Sequence, residues 1–367
     1  MRLAEGRTDL VPLGDGDPDL PTPLHIIRAA QRALEEGATH YTHWQGREDL
    51  RRAICEKYRR EFAVAVDPAQ VVVTQGAQEA VYLAFQTLLD PGDEVLLADP
   101  NYGPYESAIK LAGGIPVYVP TVEEHGFVIQ PQDVAARLGP RTKALLLVSP
   151  NNPTGAVIPR EVMGDLAEVA GQHDVFVVMD ELYEKMMFDG SVHVTAASFS
   201  GMDHRTFTIN GFSKTYAMTG WRVGYLFGPQ PIVSKMDVVK HTMTICAPAV
   251  SQAGALAALT GPEDSVDEMR QIYSERRQIL VEGFRAMGLR CDWSKGGLFL
   301  YVNIGSLGVR SYDFCLRMFD AGVQTFPATA FGGGDGYIRI SFLRPAEMLR
   351  LAIERMKPVV REFQRSV

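Results

Sequence analysis

Cysteine is sparse in this chain. Four residues, Cys55, Cys246, Cys291 and Cys315, are spread over 367 positions with no C-x-x-C pair. Such spacing suits neither a metal site nor the disulfide frame of a small secreted scaffold, and it predicts unpaired thiols in a reducing compartment. A basic surplus is missing as well: 36 Lys and Arg face 44 Asp and Glu, a formal net charge of −8. Nucleic acid and anionic membrane surfaces would repel such a chain at long range, although local basic patches can still hold small anions. No apolar run approaches the length that spans a bilayer. The opening residues, M-R-L-A-E-G-R-T-D-L, are charged where a signal peptide would be apolar. Together these absences predict a soluble, cytoplasmic protein with no nucleic-acid, membrane or metal partner.

What is present is alternation. Helical spacing over 26–35 and 48–61 is followed by short β-branched or apolar runs at 71–74, 94–98, 115–119, 144–148, 175–179, 206–209 and 223–227. Helical segments at 78–89, 105–112 and 160–171 fill several of the gaps. This pattern predicts an α/β fold with a mostly parallel sheet flanked by helices. Past residue 230 the pattern changes to long helical stretches at 232–259 and 264–286. Short strands at 297–304 and 337–342 follow around a helix at 311–321, and a last helix covers 346–364. The expected organisation is an arm over 1–25 that joins a small domain, a large domain over 26–235, and a C-terminal α+β domain over 236–367 opening on a long linking helix. No repeat or low-complexity tract interrupts it.

Ligands of such sheets bind outside the carboxyl ends of the strands, so the residues just after each strand carry the functional reading. In T-I-N-G-F-S-K-T-Y-A-M-T-G-W-R-V-G-Y (208–225), Lys214 lies beyond a strand among small and aromatic residues. Desolvation there would lower its pKa and free a neutral amine to attack an aldehyde. Arg222 supplies a fixed cation for a phosphate or carboxylate. V-F-V-V-M-D-E-L-Y (175–183) ends in Asp180, a carboxylate for a metal, a ribose or a protonated ring nitrogen, or a plain helix cap. Tyr183 follows within one turn and could equally be packed in the core. The strand before S-P-N-N-P-T-G (149–155) feeds a turn bearing Asn152, whose role could be turn chemistry alone. V-V-V-T-Q-G-A-Q-E-A (71–80) offers the N–H groups of Gly76, Ala77 and Gln78 at a helix start to an anion. D-P-N-Y-G-P-Y (99–105) puts Tyr102 where it could stack on a flat ligand.

Singly each motif is ambiguous. Jointly, an amine for an aldehyde, a carboxylate for a ring nitrogen, and an anion cradle fit pyridoxal 5'-phosphate better than other common cofactors.

On N-N-P-T-G and G-F-S-K-T-Y-A-M-T-G-W-R-V-G-Y at their spacing to M-D-E-L-Y, the chain resembles the class I/II aminotransferases of PLP fold type I, in the aspartate aminotransferase-like branch. The resemblance runs from Gly14 to about Arg361. It implies a large domain with a mostly parallel sheet, a smaller α+β domain, and a ping-pong transfer of an amino group from an L-amino acid to a 2-oxo acid. It implies that Lys214 forms a Schiff base with the cofactor and then shuttles a proton between the substrate Cα and C4′. Asp180 would pair with the pyridine nitrogen, Tyr183 and Asn152 would hydrogen-bond the ring hydroxyl oxygen, and Tyr102 would stack on the ring. Gly76, Ala77, Gln78 and Arg222 would hold the phosphate. In Y-I-R-I-S-F, Arg339 would clamp the substrate α-carboxylate, and Gly16 belongs to a loop that closes over the substrate. Tyr41 matches a tyrosine that reaches the phosphate of a neighbouring subunit, which implies a homodimer with active sites at the interface. Gly211 stands where many relatives carry a phosphate-binding serine, and Ser213, adjacent to Lys214, is not expected to replace it. More of that task then falls to Arg222 and backbone donors. His40, His43 and Trp44, flanking Tyr41, are the candidates for contacts with the substrate side chain.

Rival readings keep the cofactor and change the reaction to a β-lyase, a cyclopropane-forming synthase or an oxidase, since one constellation serves all of them. A non-catalytic sensor domain would be expected to follow a helix-turn-helix segment, whereas only a short arm precedes Gly14. A dinucleotide enzyme is set aside because F-G-G-G-D-G (331–336) lacks the required glycine spacing.

Overall fold

The computed structural model describes residues 6–365; residues 1–5 of the expected arm and 366–367 of the expected C-terminal domain lie outside them. In chain order the strands are β1 (Val11–Pro12), β2 (Val71–Thr74), β3 (Glu94–Asp99), β4 (Ile115–Pro120), β5 (Thr142–Val148) and β6 (Phe176–Asp180). They continue with β7 (Thr206–Gly211), β8 (Gly224–Phe227), β9 (Phe299–Asn303), β10 (Val323–Gln324), β11 (Phe326–Pro327) and β12 (Tyr337–Ser341).

Seven of these build one sheet in the order β2-β8-β7-β6-β5-β3-β4. The inner strands β3, β5 and β6 are near-continuous apolar runs because helices cover both faces, whereas the edge strand β4 is largely exposed. Along β5 the side chains alternate between two cores. Ala144 and Leu146 join the helices Ala77–Leu88 and Pro104–Leu111, while Leu145 and Leu147 join the helix Arg160–Gln172. A one-residue slip would exchange the two sets, so burial on both sides fixes the register.

All pairings are parallel except those of β8, which runs against β2 and β7. One edge therefore gathers the carboxyl ends of β2, β3, β5, β6 and β7 together with the amino end of β8. A smaller antiparallel sheet, β11-β12-β9, forms a second unit. The N-terminal segment is tied to that unit because β1 pairs with β10 and Ser341 N–H donates to Leu13 O. The residues after Leu13 are thereby carried across to the large sheet.

One expectation is overturned. The continuous linking helix over 232–259 is three helices, Gln230–Val233, Met236–Met243 and Ala249–Thr260. Pro248 cannot donate an N–H and disfavours a helical residue before it. Ile245 reverses the chain at φ 64°, and Thr244 turns its hydroxyl to the buried Glu79 at 2.6 Å. The long helix of the C-terminal half is Asp264–Ala286.

Candidate active site

At the shared edge lies a cavity of about 730 Å³, lined from both sheets. Lys214, three residues past β7, projects into it, and its Nζ donates to Gly16 O at 2.6 Å. Burial lowers the Lys214 pKa to about 8, with Arg222 and Arg339 pushing the same way and Asp17 opposing. An amine so shifted is half neutral and nucleophilic near that pH, where an ordinary lysine is almost wholly charged. A Cβ on Gly16 would come within 3.1 Å of Phe299 and 3.9 Å of Lys214 Nζ, so glycine lets this loop pass close above the amine. Asp17 anchors the loop by accepting from Thr219 Oγ1 at 2.6 Å.

Asp180 ends β6 and is only 4% exposed. Its Oδ1 accepts from Leu182 N–H at 2.9 Å and its Oδ2 from the Tyr105 hydroxyl at 2.8 Å. Burial still raises its pKa to about 6, against those two donors and with help from buried Glu181. Two neutral donors do not offset the desolvation of a carboxylate. The site therefore favours a cationic partner for Asp180. Tyr105 also meets Tyr102 edge-on at 5.5 Å, which leaves the Tyr102 ring along the cavity wall. Tyr183 lines the cavity too and is packed edge-on against Phe299 at 6.2 Å.

At the end of β2, Gly76 has φ +78° and caps the helix beginning at Ala77, whose first residues Ala77 and Gln78 line the cavity. Arg222, itself left-handed at φ 51°, lies across this turn. A Cβ on Gly76 would fall 2.5 Å from Arg222 Nη2, so the glycine keeps open the gap between helix N-terminus and guanidinium. That gap suits an anion: helix N–H groups and the helix dipole on one side, a fixed cation on the other. The turn is held from behind. Glu79 accepts from Gln75 N–H through Oε2 and from Lys240 Nζ at 2.7 Å through Oε1.

Arg339, on β12, is buried between the faces of Phe299 and Phe331, whose centroids lie 4.2 and 4.4 Å from its Cζ. It donates to Asn152 Oδ1 at 2.9 Å and to Gly14 O at 2.6 Å, while its Nε has no partner among the described residues. Burial lowers its pKa to about 10, still far above neutrality. A guanidinium held this way is preorganised for a planar carboxylate.

The cavity thus brings together Lys214, Asp180, Tyr183, Asn152, Tyr102 and Arg339, and also Gly16, Ala77, Gln78 and Arg222, with Gly76 directly behind Arg222. It does not include Tyr41, which is 80% exposed, nor His40, His43 or Trp44. Trp44 instead packs at the margin of the core that includes Val72 and Ala77. Ser213 lines the cavity beside Lys214. A side chain at Gly211 would press on Gly224 and Leu182 at 3.3 Å. Sequence reasoning missed Tyr105, although its place three residues after Tyr102 on a helix start was the available signal.

Fold and cavity together define an α/β enzyme with an amine, a buried carboxylate and two arginines at one sheet edge. The chain belongs to the aminotransferase class I and II family, whose model matches residues 8–356, and it is accordingly an enzyme that transfers amino groups. It is 39% identical to an aspartate/prephenate aminotransferase of Thermus thermophilus over 98% of this chain and 93% of that one. It is 41% identical to an arginine–pyruvate transaminase of Pseudomonas aeruginosa over 97% and 91%. Among solved structures, an aromatic aminotransferase from Pyrococcus horikoshii superposes with a TM-score of 0.95 at 38% identity, covering 97% of this chain and 96% of that one. Among the described residues no helix is long and apolar enough to cross a membrane.

Proposed function

We propose that the cavity holds pyridoxal 5'-phosphate and moves an amino group from an L-amino acid to a 2-oxo acid, one substrate leaving before the next binds. The observation that carries this reading is a buried amine of lowered pKa sharing one cavity with a buried, under-compensated carboxylate. The residues fit the cofactor at each end: Asp180 lacks a cation that a protonated ring nitrogen would provide, and the Gly76–Arg222 gap accepts a phosphate. When bound, the cofactor supplies an aldehyde for amines and a conjugated cationic ring that stabilises negative charge.

Lys214 would hold the cofactor through its amine and, when that amine is free, would take the proton from the substrate Cα and pass it to the cofactor C4′. Asp180 keeps the ring nitrogen protonated by holding a negative charge against it. Asn152 accepts from Arg339 through Oδ1, which leaves its NH2 to donate, and that would suit the ring oxygen beside Tyr183. Tyr102 covers the ring. Arg339 binds the α-carboxylate, and the Gly14–Asp17 loop excludes water above the amine. Exposed Tyr41 supports a homodimer in which it reaches the neighbouring copy's phosphate. The four free cysteines support a cytoplasmic location. The relatives act on acidic, aromatic and basic amino acids by name, so the donor is sought among all three classes.

The test is steady-state kinetics of the cofactor-loaded protein over a panel of amino acids and 2-oxo acids. Parallel double-reciprocal lines, with activity lost in Lys214→Ala, are expected. Intersecting lines, ammonia release without an acceptor, or full turnover by Lys214→Ala would overturn the proposal.

A further inference from the structure

The turn after β4, at the outer edge of the large sheet, reaches over to the small sheet. Glu123 in this turn has a side chain only 11% exposed and three partners there. Its Oε2 accepts from the Tyr337 hydroxyl at 2.9 Å and from Asn303 Nδ2 at 2.8 Å, and its Oε1 pairs with Arg290 Nε at 3.0 Å. Four residues on, Phe127 takes the left-handed conformation at φ 57°. Its ring meets Tyr301 and Tyr337 edge-on at 5.3 and 5.5 Å, and those two stack on each other at 4.8 Å with an interplanar angle of 4°.

Register ties this cluster to the cavity. Tyr337 stands opposite Asn303 and Arg339 opposite Tyr301. Directly opposed residues and those two apart share a face, so Tyr337, Arg339, Tyr301 and Asn303 all project from one side of the small sheet. Glu123 grips one end of that face, and Arg339 enters the cavity from the next row.

We propose that Glu123 is a positioning residue for substrate: it fixes the Arg339 face of the small sheet against the sheet that carries Lys214 and Asp180. The inference rests on the reading of Arg339 as the carboxylate-binding residue. Bidentate recognition tolerates little misplacement, and an error near 1 Å can cost orders of magnitude. A charge-assisted network around a carboxylate only 11% exposed is rigid enough to set such a position, and removing Glu123 takes the shared acceptor from two part-buried donors, the Tyr337 hydroxyl and Asn303 Nδ2.

The test uses the holoenzyme and propionate, a carboxylate without an amine, followed by saturation-transfer NMR beside steady-state kinetics. Glu123→Ala is expected to raise both the propionate dissociation constant and the amino-acid KM about tenfold, with kcat changed less than about twofold. Tyr337→Phe, which keeps the aromatic stack, should move the same constants by less. In an Arg339→Lys background, Glu123→Ala should add nothing further. A fall in thermal stability with unchanged propionate affinity, or an equal effect in the Arg339→Lys background, would overturn the proposal. Propionate binding that depends on Arg339 and Glu123 in a protein without transaminase activity would leave the positioning role standing and remove the proposed reaction.

Discussion

Replacing Asp180 by Asn should stabilise the cofactor-free protein relative to wild type as pH rises, while weakening cofactor binding. The carboxyl is raised from 3.8 to about 6 by burial, which corresponds to about 3 kcal/mol at 1.36 kcal/mol per pH unit. A raised carboxyl pKa means that the folded state favours the proton. No cost falls on folding below the unfolded value; the cost grows as pH rises from the unfolded value to the folded one and is complete above it. From these two values it is about 1.5 kcal/mol at pH 5 and about 3 kcal/mol above pH 7. Asn carries no charge and escapes this term. It has one acceptor oxygen for two donors, Leu182 N–H and the Tyr105 hydroxyl, so one donor loses its partner at a cost of about 1–3 kcal/mol independent of pH. The diagnostic quantity is therefore the slope. Melting temperatures of the two apoproteins, compared from pH 5 to 7.5, should move by about 1.5 kcal/mol in favour of the Asp180→Asn variant, or a few degrees in a chain of this size. Adding cofactor should reverse the order, because the ring nitrogen offers wild type the missing cation. A difference that stays flat across that range would refute the claim that Asp180 carries an under-compensated charge.

In the cofactor-free protein, reductive methylation of Lys214, read by peptide mass spectrometry, should pass its half-maximal rate near pH 8, where burial places the amine. Exposed lysines should follow only at about pH 10. Gly76→Ala should weaken cofactor affinity at least tenfold in equilibrium dialysis, since φ +78° costs Ala about 1–2 kcal/mol and its Cβ meets Arg222 Nη2. Unchanged affinity would mean that this turn is no phosphate cradle. Lys240→Met should lower stability in urea by about 3–5 kcal/mol by stranding buried Glu79, and Glu79→Leu added to it should restore part of the loss.

Legibility in the sequence followed the physics of each element. Strands β2, β3, β5, β6 and β7 are largely buried on both faces, so their apolar runs end where burial ends, and the next polar residues are those of the cavity. That is why Lys214, Asp180 and Asn152 could be singled out one strand at a time. Arg222 followed a different logic. It precedes its strand, and only the reversed direction of β8 brings it to the same edge as residues that follow theirs. Strand direction is a property of pairing, which no run of residues encodes locally. The broken helix over 232–259 shows the same limit: its apolar spacing is continuous, and Pro248 was the one local signal of the interruption.

Contacts between the two sheets were the least legible, because they join residues far apart in sequence, and no local pattern says which of them meet. Glu123 and Tyr337 are 214 positions apart, and Arg339 and Gly14 are 325 apart. Yet these contacts decide whether the cavity is assembled. Lys214 and Asp180 stand on the large sheet and Arg339 on the small one, so the amine and the carboxylate clamp belong to different layers, which share an apolar core. Local sequence can set the chemistry on each layer. The distance between them is set by that shared core together with polar bridges that cross, among them Arg339 to Asn152 and Gly14 within the cavity and Glu123 to Tyr337 and Asn303 behind it. Changes at the bridges should therefore register in substrate affinity before they register in the chemical step, because Lys214 and Asp180 keep their places when the small sheet shifts.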